Sequence, residues 1–202
     1  MRIIKCAIIV LLTLCAPILY TAAQTVKFKV FSGNKQIGIV EAHQKQAGVS
    51  RSIHIKSLLQ LKLVGNVNNE IAVEYKNNNL VKASSIRLRN DNQTTKDKKS
   101  TLTELVSGKH YKVIHEGKES VLSTAAIHYC VGDLYFTEPI NVHKVYSETQ
   151  CQFLELEHLG NGKYELIMPD GKRNIYAYSK GKLQEVEVNH LLGKAVFKLA
   201  DG

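Results

Sequence analysis

The chain has 202 residues, and its 27 lysines and arginines against 18 aspartates and glutamates give a formal net charge of +9. This length is enough for one domain with a substantial buried core. A basic excess can attract nucleic acid, but no stacking-aromatic motif accompanies it and the chain starts like an exported protein. Nucleic acid is therefore excluded as the predicted partner.

The first 23 residues have the layout of a secretory signal peptide. A basic start at Met1–Lys5 precedes an apolar run at Cys6–Tyr20, and Thr21–Ala23 then supplies small residues. We expect cleavage after Ala23 and export to the periplasm or beyond. Residues 24–202 are predicted to form a single β-rich domain.

Two alternatives for this segment fit less well. An uncleaved membrane anchor needs an apolar run of roughly 20 residues, and this run is shorter and is followed by polar Gln24 and Thr25. A lipoprotein anchor at Cys15 would need a small residue before the cysteine, where Leu14 stands.

Apolar and polar residues alternate with a period of two through most of the mature chain. Val26–Val30 alternates apolar and basic residues, and turn chemistry at Ser32–Lys35 predicts a hairpin over residues 25–42. The alternation continues around Ile53–Ile55 and Ile71–Tyr75. This pattern is typical of an antiparallel sheet with one solvated face.

The segment from Lys76 to Lys112 holds nine basic residues against three acidic ones. A local excess of this kind predicts contact with an anionic surface of the envelope, and solvated strand faces are the alternative. Within it, residues 90–100 contain no apolar side chain, so we expect an exposed loop there.

One short helix is predicted among the strands. Ser123 is a suitable N-cap for a helix over Thr124–Val131, and Gly132 is a suitable end. We expect this helix to pack on or across one face of the sheet.

Turn motifs recur at intervals of about ten residues in the C-terminal part of the chain, as is usual for short antiparallel strands. They are Gly160-Asn161-Gly162, Pro169-Asp170-Gly171 and Ser179-Lys180-Gly181. Short strands between evenly spaced tight turns predict an up-and-down antiparallel meander.

Two stretches resemble a family of uncharacterised exported proteins of Gram-negative bacteria, a domain of unknown function of the DUF6134 type. They are Phe28–Gly38, and Tyr164–Tyr178 continued by Gly181–Val188. The resemblance implies a mainly β fold with a strongly curved antiparallel sheet, a half-barrel or open barrel similar to the periplasmic lipoprotein carriers. It implies no catalytic residue, and fold alone does not give function.

The sequence has no phosphate loop, nucleophile elbow, zincin motif or Cys-x-x-Cys, so no catalytic residue, metal or cofactor is predicted. The best metal candidates are His128, Cys130, His143 and Cys151, but only the first two are closely spaced. Cys130 and Cys151 are a candidate disulfide in an oxidising compartment, and two separate buried thiols are the alternative.

Tyr164, Tyr176 and Tyr178 lie in neighbouring predicted strands, and the last two share a face. They predict an amphipathic binding surface in the hollow of the sheet, with core packing under the helix as the alternative. The predicted function is a non-enzymatic binding protein for a lipid or another envelope component. An envelope interaction or assembly factor without a small ligand is the second candidate, and an enzyme of unrecognised type is the third.

Overall fold

The computed structural model describes residues 21–61, 65–91, 94–190 and 193–200. Strands occupy most of these residues. They are β1 (Thr21–Ser32), β2 (Lys35–Ala47), β3 (Ser50–Leu61), β4 (Gly65–Lys76), β5 (Asn79–Asp91), β6 (Thr94–Ser107), β7 (His110–His115), β8 (Lys118–Ser123), β9 (Lys144–Ser147), β10 (Gln152–Gly160), β11 (Lys163–Ile167), β12 (Arg173–Ser179), β13 (Lys182–His190) and β14 (Gly193–Leu199).

The predicted signal peptide falls mostly outside the described residues, which begin at Thr21. Thr21–Ala23, directly before the predicted cleavage site, form the first residues of β1 and pair with Lys45–Ala47 on β2.

All fourteen strands belong to one antiparallel sheet. Its order runs from β8 down to β1 and then from β14 down to β9, so consecutive strands of the chain are neighbours except β8 and β9, and β1 pairs with β14. Among the described strands β8 and β9 are the two edges, and the sheet is not closed. The predicted fold class, a mainly β meander in an open curved sheet, is confirmed.

The sheet curls so that strands from opposite ends of its order meet. The hydroxyls of Thr103 on β6 and Tyr146 on β9 lie 2.8 Å apart. The hydroxyl of Thr101 on β6 donates to the carbonyl oxygen of Glu148, just after β9, at 2.6 Å. The inward side is called the concave face below, and the outward side the outer face.

The core lies on the concave face and follows the alternation of the sequence. Phe28 and Val30 on β1, Val40 and Ala42 on β2, and Ile53 on β3 are each 1% exposed or less. Residues two apart on a strand share a face, so these side chains form one continuous layer. Full burial of an aliphatic or aromatic side chain stabilises the fold by about 1.5–3 kcal/mol.

The predicted helix over Thr124–Val131 is wrong. Residues 124–129 are irregular, and the helical turn is a 3-10 helix at Val131–Tyr135. The backbone groups that a helix would use are bonded elsewhere: Leu80 N donates to Ile127 O at 2.8 Å, and Tyr146 N donates to Tyr129 O at 3.0 Å. Among the described residues no helix is long and apolar enough to cross a membrane.

Residues 124–143, which connect β8 to β9, are called the crossover segment. Ile127, Cys130 and Leu134 from this segment are 1% exposed or less and belong to the same hydrophobic cluster as the strand residues. The crossover segment therefore fills space on the concave face of the sheet.

The exposed loop predicted for residues 90–100 is also wrong, because strands occupy most of it. β5 runs to Asp91 and β6 starts at Thr94, with Arg89 opposite Asp97, and the Arg87 guanidinium also lies 3.9 Å from the Asp97 carboxylate. A strand does not need apolar residues where both of its neighbours supply backbone hydrogen bonds and opposite charges lie across from each other.

Candidate functional site

The structure brings the three predicted tyrosines together. Tyr164 on β11 lies directly opposite Tyr176 on β12. The rings of Tyr164 and Tyr178 meet edge to face, with centroids 5.6 Å apart. Each of the three side chains is at most 7% exposed, so they line the interior rather than an open surface.

The crossover segment covers these tyrosines and forms hydrogen bonds with two of them. The Tyr178 hydroxyl donates to the carbonyl oxygen of Leu134 at 2.6 Å, and the Tyr164 hydroxyl donates to Glu138 Oε1 at 3.1 Å. Burial raises the pKa of Tyr178 well above its usual range. In this arrangement the tyrosines pack in the core, and ligand binding at them remains a prediction that requires the segment to leave.

A buried polar cluster fixes the crossover segment to β3 and β4. Asp133 in the 3-10 helix forms an ion pair with Arg51, and it accepts hydrogen bonds from the Tyr75 hydroxyl at 2.5 Å and from Cys130 N at 2.7 Å. The guanidinium carbon of Arg51 lies 4.0 Å from the centre of the Tyr75 ring. Burial opposes charge on Arg51, but the Asp133 carboxylate outweighs it and raises the pKa of Arg51.

A second buried acid contacts the backbone of the 3-10 helix. The side chain of Glu148 is 1% exposed, and its Oε1 accepts a hydrogen bond from Gly132 N at 2.8 Å. Burial raises the pKa of Glu148 to about 7, although backbone N–H groups act in the opposite direction. Sequence reasoning missed Arg51, Asp133 and Glu148 because no short motif links them.

An open cavity of about 440 Å³ lies away from the tyrosines, between β2 and β3. In the described ladders the two strands pair only as far as Gly38 and Leu59, and beyond these residues they separate. This opening is called the fork cavity. Its lining contains five carboxamide side chains, which are Gln36, Gln60, Asn66, Asn68 and Asn90.

Comparison with known proteins identifies the family. The model of a domain of unknown function, DUF6134, matches residues 28–200. The chain belongs to the DUF6134 family. The resemblance that its turn and strand motifs predicted is thereby confirmed.

A solved structure shares the fold of this DUF6134 domain. It is the crystal structure of a β-barrel-like protein of another domain of unknown function, DUF1849, from Brucella abortus. The two are 7% identical, with a TM-score of 0.52 over 88% of this chain and 95% of the other. A likeness at this identity describes the fold alone. No curated protein matches the chain.

The two cysteines of the DUF6134 domain are free thiols in the structure, so the candidate disulfide is not formed there. Cys130 is completely buried, and Cys151 Sγ lies 3.9 Å from Thr103 Oγ1. Burial raises the pKa of both thiols, which disfavours the reactive thiolate. No group of three or more His, Cys, Asp or Glu residues in the described ranges is arranged to hold a metal ion.

The basic region of the DUF6134 domain lies on β4 to β7, where several of its charges are paired. Lys99 Nζ lies 2.6 Å from Glu116 Oε1, and Lys112 Nζ lies 2.9 Å from Glu119 Oε2. Acidic partners of this kind reduce the local positive potential. Contact of the Lys76–Lys112 region with an anionic surface stays a prediction.

Proposed function

We propose that this DUF6134 domain is a non-enzymatic, exported interaction protein of the cell envelope, which binds a partner protein on the outside of its sheet. The observation that carries the proposal is the occupied concave face. Leu134 of the crossover segment is completely buried there, and the tyrosines beneath it are hydrogen-bonded to the segment. A concave face that is filled by the protein's own side chains stabilises the fold rather than holding a ligand.

The lipid carrier that the sequence also predicts would need a continuous apolar cavity on the same face. To open one, the crossover segment would have to break the ion pair of Asp133 with Arg51 and the hydrogen bond of Leu134 with Tyr178. Breaking a buried ion pair is costly, because each charge is left without a partner in a medium that solvates it poorly. This cost favours the interaction protein over the carrier.

The placement of the buried acids supports a non-enzymatic role. Asp133 and Glu148 are 2% and 1% exposed, and both are engaged by groups of the crossover segment. A general acid or base must come within hydrogen-bond reach of a substrate. These two carboxyl groups instead hold one segment of the protein against another.

Native mass spectrometry of the protein purified from its own envelope fraction, before and after organic extraction, tests the choice between carrier and interaction protein. A mass equal to that of the polypeptide alone is expected. A bound lipid-sized mass that extraction removes would overturn the proposal.

Photo-crosslinking in cells tests partner binding directly. A photoreactive phenylalanine analogue is placed at exposed outer positions such as Leu58, Val106, Val121 and Leu159, whose exposures are 52%, 66%, 70% and 50%. A discrete protein adduct at one or two of these positions is expected. Adducts at none of them, or equally at all of them, would contradict a specific partner surface.

A further inference from the structure

We propose that the fork cavity binds an extended segment of a partner protein that carries uncharged side chains, and that this segment adds to the exposed strand edges of the fork. The inference rests on the proposed function and names the site and the chemistry of the partner. It is carried by the way the strands separate, by the lining of the cavity and by one unsatisfied buried acceptor.

The fork cavity lies between two hairpins, β1–β2 and β3–β4, which belong to one sheet but separate from each other at one end. Gly38 and Leu59 are the last partners of β2 and β3 in the described ladders. The pairing of β1 with β2 continues to Lys35, and the pairing of β3 with β4 continues to Leu61. Each hairpin therefore stays intact while the distance between the hairpins increases.

Gly38 marks the point of separation, and the local geometry requires a glycine. A Cβ atom at this position would lie 2.1 Å from the carbonyl oxygen of Leu58 and 2.8 Å from Leu59 Cδ2. No real Cβ atom tolerates such contacts, so any other residue would push β2 away from β3. At Gly38 the backbone of β2 therefore lies very close to the backbone of β3, and the two strands diverge beyond this point.

Beyond the last pair, the fork presents backbone edges. Gln36 on β2 is paired with β1 only, and Gln60 on β3 is paired with β4 only, as far as the described ladders extend, while Ile37 is the extra residue at the register shift between Gln36 and Gly38. Unpaired strand edges are templates for the addition of another strand. Several peptide-recognition domains bind their targets in this way, with backbone hydrogen bonds for affinity and side-chain pockets for specificity.

The side chains of the fork suit a peptide backbone. Gln60, Asn66 and Asn90 are successive cross-strand partners and form a row of carboxamides across three strands. A carboxamide both donates and accepts hydrogen bonds, as a peptide group does. In the next row Ile39 lies opposite Leu58, and these two are 44% and 52% exposed, which provides an apolar surface.

One acceptor of this row is unsatisfied. Asn90 Oδ1 is buried and has no hydrogen-bond partner within the described part of the chain. A buried acceptor without a donor is unfavourable, so a ligand that brings an N–H group gains by satisfying it. The peptide N–H of a bound segment is such a donor.

The lining also argues against other ligands. None of the described residues that line the cavity is charged, so phosphates, carboxylates and lipid headgroups find no counter-charge among them. Within the described part of the lining none is aromatic either, so a sugar ring would have no stacking partner there. The volume of about 440 Å³ lies in the range of about 300–1,000 Å³ that is usual for binding pockets.

A display library of short random linear peptides, panned on the whole mature protein, supplies the probe. The tightest peptide is synthesised with capped ends, and its affinity is measured by fluorescence polarisation. We expect uncharged sequences, and we expect N-methylation of alternate residues to abolish binding, because methylation removes the N–H groups that pair with a strand edge.

Three variants locate the site. Leu58→Asp and Asn90→Leu each weaken binding by about tenfold or more, since one places a charge on the apolar row and the other removes the unsatisfied acceptor. Val106→Asp is the matched control, because Val106 is also exposed but does not line the fork. Circular dichroism and the urea midpoint of each variant show that the fold is retained.

Two binding results would overturn the inference. One is a selected peptide that binds Leu58→Asp and Asn90→Leu as tightly as the unmodified protein. The other is an uncharged oligosaccharide, with maltohexaose as the probe, that binds the fork while no peptide does. If photo-crosslinking gives a protein adduct at Val121 or Leu159 but none at Leu58, the fork assignment fails and the proposed function stands. A bound lipid without any protein adduct would instead remove the proposed function itself.

Discussion

The carboxylate of Asp133 and the guanidinium of Arg51 form an ion pair although 82 positions separate them in the chain. The Asp133 side chain is 3% exposed and that of Arg51 is 18% exposed, so water screens the pair weakly. Tyr75 and the backbone N–H of Cys130 donate to the same carboxylate. This one side chain therefore joins β3, β4 and the crossover segment.

Removal of the Asp133 carboxylate should destabilise the fold strongly. Asp133→Ala leaves the Arg51 charge, the Tyr75 hydroxyl and the Cys130 N–H without their partner, and loss of one member of a buried pair costs about 3–5 kcal/mol. Urea titration of both proteins measures this loss as a decrease in the free energy of unfolding. Glu119→Ala is the control, because it removes an exposed pair with Lys112 and should change little. Equal losses in both variants would contradict the role of the cluster.

Glu148 should make the protein less stable as the pH rises. Its pKa is about 7 in the folded state and ordinarily 4.5, so the folded state binds the proton more tightly between these values. Stability from this group is full below about pH 4.5 and is lost as the pH rises through 7, with a total of about 3 kcal/mol.

The variant Glu148→Gln isolates this effect. The glutamine keeps an oxygen that can accept from Gly132 N but cannot ionise. We expect the difference in urea midpoint between the variant and the unmodified protein to grow in favour of the variant from pH 5 to pH 8. A difference that is constant across this range would show that Glu148 does not titrate there.

Alanine substitutions at two glycines distinguish the energetic cost of backbone strain from the cost of steric contact. Gly171 has a φ of +79° and open space where a Cβ atom would lie, whereas a Cβ at Gly162, at φ +69°, would lie 2.7 Å from the carbonyl oxygen of Tyr178. Gly171→Ala should cost about 1–2 kcal/mol from its left-handed conformation alone. Gly162→Ala should cost clearly more, and thermal unfolding of both variants checks the order.

Both thiols should be free in the purified protein. Cys130 is completely buried and Cys151 is half-buried, and burial raises the pKa of each. We expect Cys151 to react with iodoacetamide before Cys130 in the folded protein, and both to react after denaturation without reductant. An intact mass two hydrogens lower than the sequence predicts, with no labelling, would instead demonstrate the disulfide.

The sequence predicts the sheet well because strand burial is local. Val26–Val30 and Ile71–Tyr75 alternate with the period that a half-buried strand requires, and Gly160–Gly162 and Pro169–Gly171 are turns whose residue types determine their geometry. The helix predicted for the crossover segment is wrong because the backbone there bonds to distant residues such as Leu80 and Tyr146. Local helix preference is weak compared with such tertiary contacts.

The sequence likewise predicts only part of the candidate site. Tyr176 and Tyr178 share a face because they are two apart on one strand, and the sequence alone predicts this. It does not predict what covers them, since that depends on the contact between Arg51 and Asp133, which are 82 positions apart in the chain. The fork is not predictable either, because carboxamides such as Gln60 and Asn66 are ordinary surface residues until the register places them side by side.

The pairing of β1 with β14 sets the order of events when the protein is made. Phe28–Ser32 lie beside Ala195–Leu199, so the middle of the sheet joins the first of the described strands to the last of them. Until translation reaches Leu199, the ribosome holds an arm whose innermost strand has no neighbour on one side. Contacts between distant parts of a chain also form slowly. A truncation that removes β14 would therefore leave two separate arms of sheet, one of β1 to β8 and one of β9 to β13.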